Sequence, residues 1–392
     1  MSHHDAVHPA QGSVLVTDGE FKHTLGIVRA LAAHGHEVHV VAQSTRAPAV
    51  HSRAVRAWHR APPPGDPGYE ARLLEIASAL EPVSLIPVGS GAVAAVDRMR
   101  ERLAPRVKLD LAPAASIGIA CDKVRTGELA RALGVPTPRE ALVQDLAGAG
   151  AAWRDFGAPL VLKSWREEGR KVVRYVGAEA DLEEAFEAVR RLSCGRALAQ
   201  QYVEGDGFGF SALYWNGERQ RFFMHRRVRE WPPSGGTSAC AESVREFPEL
   251  ERAGTALLDA LRWHGVAMVE FKGSRARGTL GLMEINAKFW GSHDVALAAG
   301  VNFPVDLVAL LEGRGLPPQE PYRDVRFSWP LGGDLWHGFY RPSSLPRVIW
   351  DWMSPRVAHS FRWSDPAPSV REWLQWLRSA PGAWREFRDL RR

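Results

Sequence analysis

The chain has 392 residues, of which 45% are hydrophobic and 24% are charged, a balance typical of folded proteins with roughly two to four domains. No apolar run reaches bilayer-spanning length, and the polar start MSHHDAVHPAQG lacks the apolar core of a signal peptide, so a cytoplasmic protein without a transmembrane segment is expected. The cysteines Cys121, Cys194 and Cys240 are far apart, which argues against a disulfide framework or a zinc site.

The net charge of +5 is concentrated at the C-terminal end of the sequence. Residues 313–392, called the tail below, contain 13 arginines, no lysine and 8 acidic residues. The excess in the tail equals that of the whole chain, so the remaining residues carry no net basic charge. A nucleic-acid partner is therefore not expected.

The N-terminal residues alternate between strand-like and helix-like patterns. Residues 13–18 and 37–42 are strand-like on either side of a helical pattern at 21–34, and a further strand is predicted at 84–88 between helices at 74–80 and 91–102. This alternation predicts a parallel, Rossmann-like sheet. No GxGxxG motif follows the first strand, so a dinucleotide site is not predicted.

Two segments in the middle of the chain place lysines where they could meet an anion. Asp122 is a predicted N-cap of the helix that begins at Lys123. The apolar strand 159–163 ends in Lys163, and a loop leads from it to Lys171. Lysines at such positions bind phosphate as point charges, although solvated surface lysines are the alternative.

A second cationic segment runs from residue 222 to residue 238. In a regular strand His225, Arg227 and Arg229 share one face. Planar guanidinium groups clamp carboxylate and phosphate groups, so Arg227 or Arg229 is a candidate for contact with substrate. The alternative is an edge strand protected by charge.

The most informative stretch is residues 281–304, GLMEINAKFWGSHDVALAAGVNFP. Glu284 and Asn286 are two residues apart, so their side chains point to one face of a strand, and Lys288 follows. The strand-like run 266–272 supplies Glu270. If the two runs are neighbouring strands, Glu270, Glu284 and Asn286 form an oxygen-rich site suited to Mg²⁺. Ser292 is a plausible N-cap for the next helix, which Gly300 would end.

Four motifs together resemble the ATP-grasp superfamily, especially its carbamoyl-phosphate-synthase-like branch: DK…LGVPTP, VLK, VEFK and MEINAKFWGS. The resemblance covers roughly residues 10–312. It implies an α/β fold, α+β within the lobes, with a Rossmann-like pre-ATP-grasp domain at 1–119, a small lid lobe at 120–198 and a large lobe with the metal site at 199–312. A Trp/Arg-rich C-terminal subdomain at 313–392 would follow.

The resemblance also implies an activity, an ADP-forming ligase that activates a carboxylate as an acyl phosphate and joins it to an amine, both small molecules. Its cofactors would be ATP and Mg²⁺, with Mn²⁺ as an alternative ion, and a homodimer is common among similar proteins. Phosphate contacts fall to Lys123, Lys163 and Lys171, and metal binding to Glu270, Glu284 and Asn286. The resemblance implies that Arg227, Arg229 and Lys288 stabilise the transferring group. Lys288 occupies a position at which this branch usually has arginine. Adenine and ribose contacts fall to Gln200, Gln201, Tyr202, Val203, Glu204 and Asp206.

Two other functions are compatible with the sequence. The phosphate loop has one glycine, Gly169, and Gln200 stands where the family often has an acid, as expected for a module that senses ATP without catalysis. The tail holds eight of the fifteen tryptophans, which suggests peripheral contact with a membrane or a polymer. The commoner alternative is that the tail packs against the rest of the protein.

Overall fold

The computed structural model describes residues 11–81, 83–109, 111–166, 172–233 and 235–389. Lys171 and most of the predicted phosphate loop lie outside these residues. The chain forms two compact units, the first made of residues 1–110, 225–244 and 289–392 and the second of residues 111–224 and 245–288. These units differ from the four predicted segments, because residues that are distant in the sequence pack together. The tail, for example, belongs to the same unit as the N-terminal residues.

The first unit contains a five-stranded parallel sheet with helices between its strands. The strand order is β3-β2-β1-β4-β5. The elements are β1 (Gln11–Val16), α1 (Lys22–Ala33), β2 (His36–Ala42), β3 (Ala57–Arg60), α2 (Tyr69–Ala79), β4 (Val83–Ile86), α3 (Ser90–Arg98), α4 (Arg100–Leu103) and β5 (Val107–Leu109).

This sheet confirms the predicted parallel β-α-β beginning. Val14, Leu15 and Val16 of β1 are fully buried, as expected for a central parallel strand covered on both faces. The helix predicted at 91–102 is divided at Met99, where the backbone leaves helical geometry, into α3 and α4.

The second unit is built from two antiparallel sheets. One has the order β6-β9-β7-β8, and in the other β14-β13-β10-β11 are consecutive neighbours. The elements are α5 (Ala114–Ala120), α6 (Lys123–Ala132), β6 (Glu140–Val143), α7 (Leu146–Phe156), β7 (Leu160–Lys163), β8 (Val173–Val176), α8 (Leu182–Arg190), β9 (Ala197–Gln201), β10 (Asp206–Trp215), β11 (Glu218–Trp231), α9 (Pro248–Ala260), β13 (Gly265–Ser274) and β14 (Thr279–Asn286).

The remaining elements belong to the first unit, in which the end of β11 from His225 onward begins the strand order β11-β12-β15-β16. The elements are β12 (Thr237–Ser243), α10 (His293–Ala299), α11 (Phe303–Leu311), β15 (Arg326–Ser328), α12 (Leu335–Tyr340), α13 (Leu345–Met353), β16 (Val357–His359) and α14 (Ala367–Asp389).

The tail packs against the N-terminal residues within the first unit. Arg29 of α1 forms a buried ion pair with Asp365 at 2.8 Å, and Ser52 donates to the same carboxylate at 2.6 Å. Arg371 of α14 donates to His51 at 3.1 Å. The tail is therefore an integral layer of this unit.

The ends of α10 show one correct capping prediction and one wrong one. Gly300 ends the helix with a φ of +102°, as predicted, because glycine adopts this left-handed conformation without strain. Ser292 lies at the N-cap, but its side chain does not cap the helix. Its hydroxyl is instead 2.8 Å from His225 Nε2 of β11.

Among the described residues no single helix has the length and apolarity needed to cross a bilayer. The helices α10 and α11 reach that length and composition only together, and they meet at an angle of 89°.

Candidate functional site

Two carboxylates face each other across neighbouring strands of the second unit. The antiparallel strands β13 and β14 pair Glu270 with Glu284 and Met268 with Asn286, which confirms that the two predicted runs are neighbours. Glu270, Glu284 and Asn286 therefore lie on one face, called the carboxylate face below. The register shifts between Glu270 and Phe271, so that Met283 is an extra residue in β14. The sequence pattern gave no sign of this bulge.

Lys123 compensates part of the negative charge. Its Nζ lies 3.1 Å from Glu284 Oε2, and the two side chains are 10% and 15% exposed. Asp122 holds the start of α6 in place, since its carboxylate accepts from the backbone N–H groups of Val124 and Arg125 at 3.0 and 3.1 Å, as predicted for an N-cap. Directly opposed like charges destabilise a sheet, so this face favours a cation.

Lys163 ends β7 inside a chain of hydrogen bonds. It is 7% exposed and donates to Gln200 Oε1 at 2.8 Å. Gln200 in turn donates to Glu140 at 3.0 Å, and Glu140 also accepts from Arg131 at 3.1 Å. The Gln200 amide, which the sequence predicts to read adenine, thus links Lys163 to Glu140.

Glu140 was not identified from the sequence. The antiparallel pairing of β6 and β9 places it directly opposite Gln200. A glutamate at the start of a short strand carries no local signal of this partnership, because the two residues are 60 positions apart.

The two lysines and the two opposed glutamates lie within electrostatic range of one another. Burial and, second to it, the charge of Lys123 lower the pKa of Lys163 to about 8. The carboxylates of Glu284, Glu140 and Glu270 act in the opposite direction. A buried lysine with a lowered pKa beside carboxylates is a common feature of functional sites.

The carboxylate face has the donor chemistry for Mg²⁺. Asn286 donates to Glu284 Oε1 at 3.4 Å and accepts from Lys288 Nζ at 3.3 Å, so its amide lies against both charged groups. Within the described ranges no three His, Cys, Asp or Glu side chains are placed to hold a metal ion. Two carboxylates and an amide oxygen fit Mg²⁺, which keeps other oxygen ligands such as water or phosphate.

The predicted adenine and ribose residues form the connection between β9 and β10. Gln201 ends β9, and Tyr202, Glu204 and Asp206 are exposed. Lys272 Nζ lies 5.0 Å from the centre of the Tyr202 ring. Gly205 adopts a φ of +127°, and a Cβ there would lie 2.0 Å from the Gly273 carbonyl oxygen, so this turn requires glycine.

Arg229, predicted as a substrate clamp, lies in an ion-pair cluster of the first unit. Its Nε and Nη2 donate to both carboxylate oxygens of Asp334 at 2.6 and 2.8 Å, and Nη1 lies 2.8 Å from Asp351. Burial alone lowers the pKa of Arg229, but the bonds with Asp334 and Asp351 outweigh it and raise that pKa. The structure therefore favours a structural role for Arg229, because all three nitrogens of its guanidinium already face carboxylates.

Arg227 is also in the first unit. Its Nη1 donates to Glu230 at 3.2 Å and to the Gly236 carbonyl at 3.4 Å. The lysines, Gln200 and the carboxylate face lie in the second unit. The site that the second unit assembles by itself therefore contains the predicted metal residues and Lys288, together with two of the predicted phosphate residues, Lys123 and Lys163.

Comparison with solved structures shows a shared fold. The chain matches N5-carboxyaminoimidazole synthetase of Staphylococcus aureus in complex with ADP with a TM-score of 0.65 and 14% identity, over 81% of this chain and 82% of that one. It matches biotin carboxylase of Campylobacter jejuni with a TM-score of 0.64 and 16% identity, over 79% and 73% of the two chains. No family model matches the sequence.

Among curated proteins the chain is similar to D-alanine--D-alanine ligase of Stutzerimonas stutzeri, with 31% identity over 96 residues, which are 24% of this chain and 30% of that ligase. It is also similar to carbamoyl-phosphate synthase of Methanobrevibacter smithii, with 23% identity over 228 residues, which are 56% and 60% of the two chains. The chain thus matches less than two thirds of the length of either relative.

Proposed function

Because this chain belongs to the ATP-grasp superfamily, we propose that it is an ATP- and Mg²⁺-dependent ligase that joins a carboxylate to an amine and releases ADP and phosphate. The observation that carries the proposal is the placement of Lys123 and Lys163 beside the opposed Glu270 and Glu284. The similar curated proteins are named as ligases or synthases, which favours catalysis over ATP sensing.

In this proposal, acidic and amide side chains of the second unit bind the metal ion, and its lysines bind phosphate. Glu270, Glu284 and Asn286 would hold Mg²⁺, which supplies positive charge next to the phosphate oxygens of ATP. Lys163, held in place by Gln200, neutralises a phosphate oxygen. Lys123, which is paired with Glu284, would contact a phosphate if a bound ion neutralised that carboxylate.

In the proposed reaction a substrate carboxylate oxygen attacks the γ-phosphorus of ATP and the bond to ADP breaks, which gives an acyl phosphate. The amine nitrogen then attacks the carbonyl carbon, phosphate leaves and the nitrogen loses a proton. The protein supplies alignment and charge neutralisation and forms no covalent bond to the substrate. Lys288, which contacts Asn286, and Arg227 are proposed to stabilise the transferring group.

The remaining assignments belong to the same proposal. Adenine and ribose contact the end of β9 and the connection after it, through Gln200, Gln201, Tyr202, Val203, Glu204 and Asp206. Lys171 adds a phosphate contact. The proposal also includes Mn²⁺ as an alternative to Mg²⁺, a homodimeric assembly and a cytoplasmic location.

The decisive experiment measures ADP release by the full chain with ATP, Mg²⁺ and a panel of small carboxylates and amines. We expect release that requires one carboxylate and one amine. ATP binding without release for any pair would instead support a nucleotide-sensing module, and no ATP binding would contradict both functions.

Lys288→Ala tests the proposed role of that lysine. Turnover should be lost while ATP binding stays measurable, because the lysine acts on the transferring group and the remaining phosphate contacts are intact. Unchanged turnover would remove Lys288 from the mechanism.

A further inference from the structure

The helix α13 buries Val348 and its one acid but leaves other apolar side chains exposed. Asp351 is 1% exposed, whereas Trp350 and Met353 are 66% and 78% exposed. An amphipathic helix of a globular protein ordinarily turns its apolar stripe toward the core. Ile349, Trp350 and Met353 are neighbours on one side of this helix, so the exposed apolar side chains form a stripe.

Ion pairs hold α13 in this orientation. Asp351 lies 2.8 Å from Arg229 Nη1, 3.1 Å from Arg347 Nε and 3.6 Å from Arg326 Nη1. Rotating the apolar stripe inward would take the carboxylate away from three guanidinium groups. The exposure of Trp350 and Met353 is therefore built into the packing of the first unit.

The helix α14 exposes a second apolar stripe. Val370, Trp373, Leu374 and Leu377 follow the i, i+3, i+4, i+7 spacing of one helix face, and all four are exposed. Elsewhere on this helix Arg371 donates to His51. The exposed stripe thus lies on a helix that is anchored to the N-terminal residues.

The two stripes are close to each other. The rings of Trp352 and Trp373 have centroids 6.5 Å apart, which joins α13 to α14. Trp373 also contacts Trp376, whose ring lies 5.1 Å from that of Trp336. We call the seven exposed residues on the two helices the tail patch: Ile349, Trp350, Met353, Val370, Trp373, Leu374 and Leu377.

Within residues 341–378, which contain the tail patch, the exposed charges have one sign. Between residues 341 and 378 every exposed charged side chain is an arginine, including Arg347, Arg356 and Arg378. The acids in this range are not exposed, and Asp351 and Asp365 are buried in ion pairs. The surface therefore combines protruding apolar side chains with positive charge.

We propose that the tail patch docks on the surface of an anionic lipid bilayer. Tryptophan favours the boundary between headgroups and acyl chains, and arginine is attracted to anionic headgroups. A second copy of the chain is a poorer partner, because two patches would face each other with arginines and no exposed acid. An acidic protein helix fits less well because it needs an apolar groove, and Trp350 and Met353 protrude.

Co-sedimentation of the full chain with lipid vesicles tests this proposal. Vesicles of phosphatidylcholine alone are compared with vesicles that contain about 30% phosphatidylserine, at low and high salt. We expect binding to the anionic vesicles that weakens as salt rises. The double variant Trp350→Ser/Met353→Ser should bind at least about tenfold more weakly, because it lacks two of the inserted side chains.

Leu192→Ser is the matched control, because Leu192 is a similarly exposed apolar residue of the second unit. It should bind vesicles like the wild type, and circular dichroism should show that all the variants are folded. Substrate-dependent ADP release in solution should be the same in wild type and double variant, so this test is independent of the proposed ligase activity.

Failure of the wild type to bind anionic vesicles would overturn the proposal, as would equal binding by the double variant. If the wild type is a dimer, the double variant is a monomer and neither binds vesicles, the tail patch would be assigned to contact with a second copy of the chain. Binding to an acidic amphipathic peptide with no vesicle binding would assign it to a protein partner.

Discussion

The two compact units each contain a cluster of cations and carboxylates, and the clusters differ in how their charges are matched. In the first unit Arg229 meets both oxygens of Asp334 and one of Asp351 at 2.6 to 2.8 Å, and all three side chains are buried. In the second unit Glu270 opposes Glu284, and burial together with the nearby charge of Lys123 lowers the pKa of Lys163 to about 8.

We take this difference to distinguish a structural cluster from the proposed functional one. A buried arginine with a carboxylate on each side has its charge satisfied within the protein, and removal of one partner leaves an uncompensated charge. Opposed carboxylates and adjacent lysines leave like charges close together, an arrangement that a metal ion and a phosphate would relieve. Variants in the first cluster should therefore change stability, and variants in the second should change activity.

The largest effect on stability is expected for Arg229→Met. The change leaves Asp334 and Asp351 buried without their main cation, which should lower the free energy of unfolding by about 3–5 kcal/mol. Denaturant unfolding measures it. The matched control is Arg347→Met, which removes a more exposed partner of the same Asp351 and should cost less than about 1 kcal/mol. Equal effects of the two variants would show that the Arg229 cluster is not the stabilising one.

For Glu284→Gln the effect should appear in catalysis. The rate of ADP release should fall by about 10²–10³-fold, because one charged ligand of the proposed ion is lost at the site of phosphate charge. The free energy of unfolding should change little, because relief of the opposed like charges offsets the lost ion pair with Lys123. Glu249→Gln, at an exposed glutamate of α9, serves as the control and should leave turnover intact. Normal turnover of Glu284→Gln would place the metal elsewhere.

The lowered pKa of Lys163 makes a pH-dependent prediction. The folded pKa of about 8 lies below the ordinary value of 10.5, so the cost of the buried charge is fully present below pH 8 and disappears as pH rises toward 10.5. Without divalent ions, the stability of Lys163→Met relative to wild type should decrease by about 1.4 kcal/mol per pH unit between pH 8 and 10. Unfolding at several pH values measures this slope, and the exposed lysine variant Lys108→Met should not show it.

The smallest expected effect compares two N-caps of the second unit. Asp122→Ala and Asp145→Ala each remove a carboxylate that accepts from the first turn of a helix, so each should cost about 1 kcal/mol of unfolding free energy. Only Asp122→Ala should also weaken ATP binding, measured by calorimetry, because its helix begins at Lys123. Equal ATP affinities in the two variants would argue against a phosphate contact by Lys123.

Some features of the carboxylate face and of the fold could be predicted from the sequence, and these are the local ones. The period of two in a strand placed Glu284 and Asn286 on one face, and the capping pattern placed Asp122 at the start of α6. These features depend on a few consecutive residues, so the sequence by itself determined them. The parallel β-α-β beginning was predictable for the same reason, since its strands and helices have distinct hydrophobic periods.

Only the tertiary structure decided which distant residues meet. The bulge at Met283, the bonds from Lys163 through Gln200 to Glu140, and the partners of Arg229 each depend on strand register or packing between residues far apart in the chain. The orientation of α13 is the clearest case, because Val348 is buried while Ile349, Trp350 and Met353 are exposed. Ion pairs of Asp351 with arginines from β11 and β15 hold the helix in this orientation, and no local pattern records them.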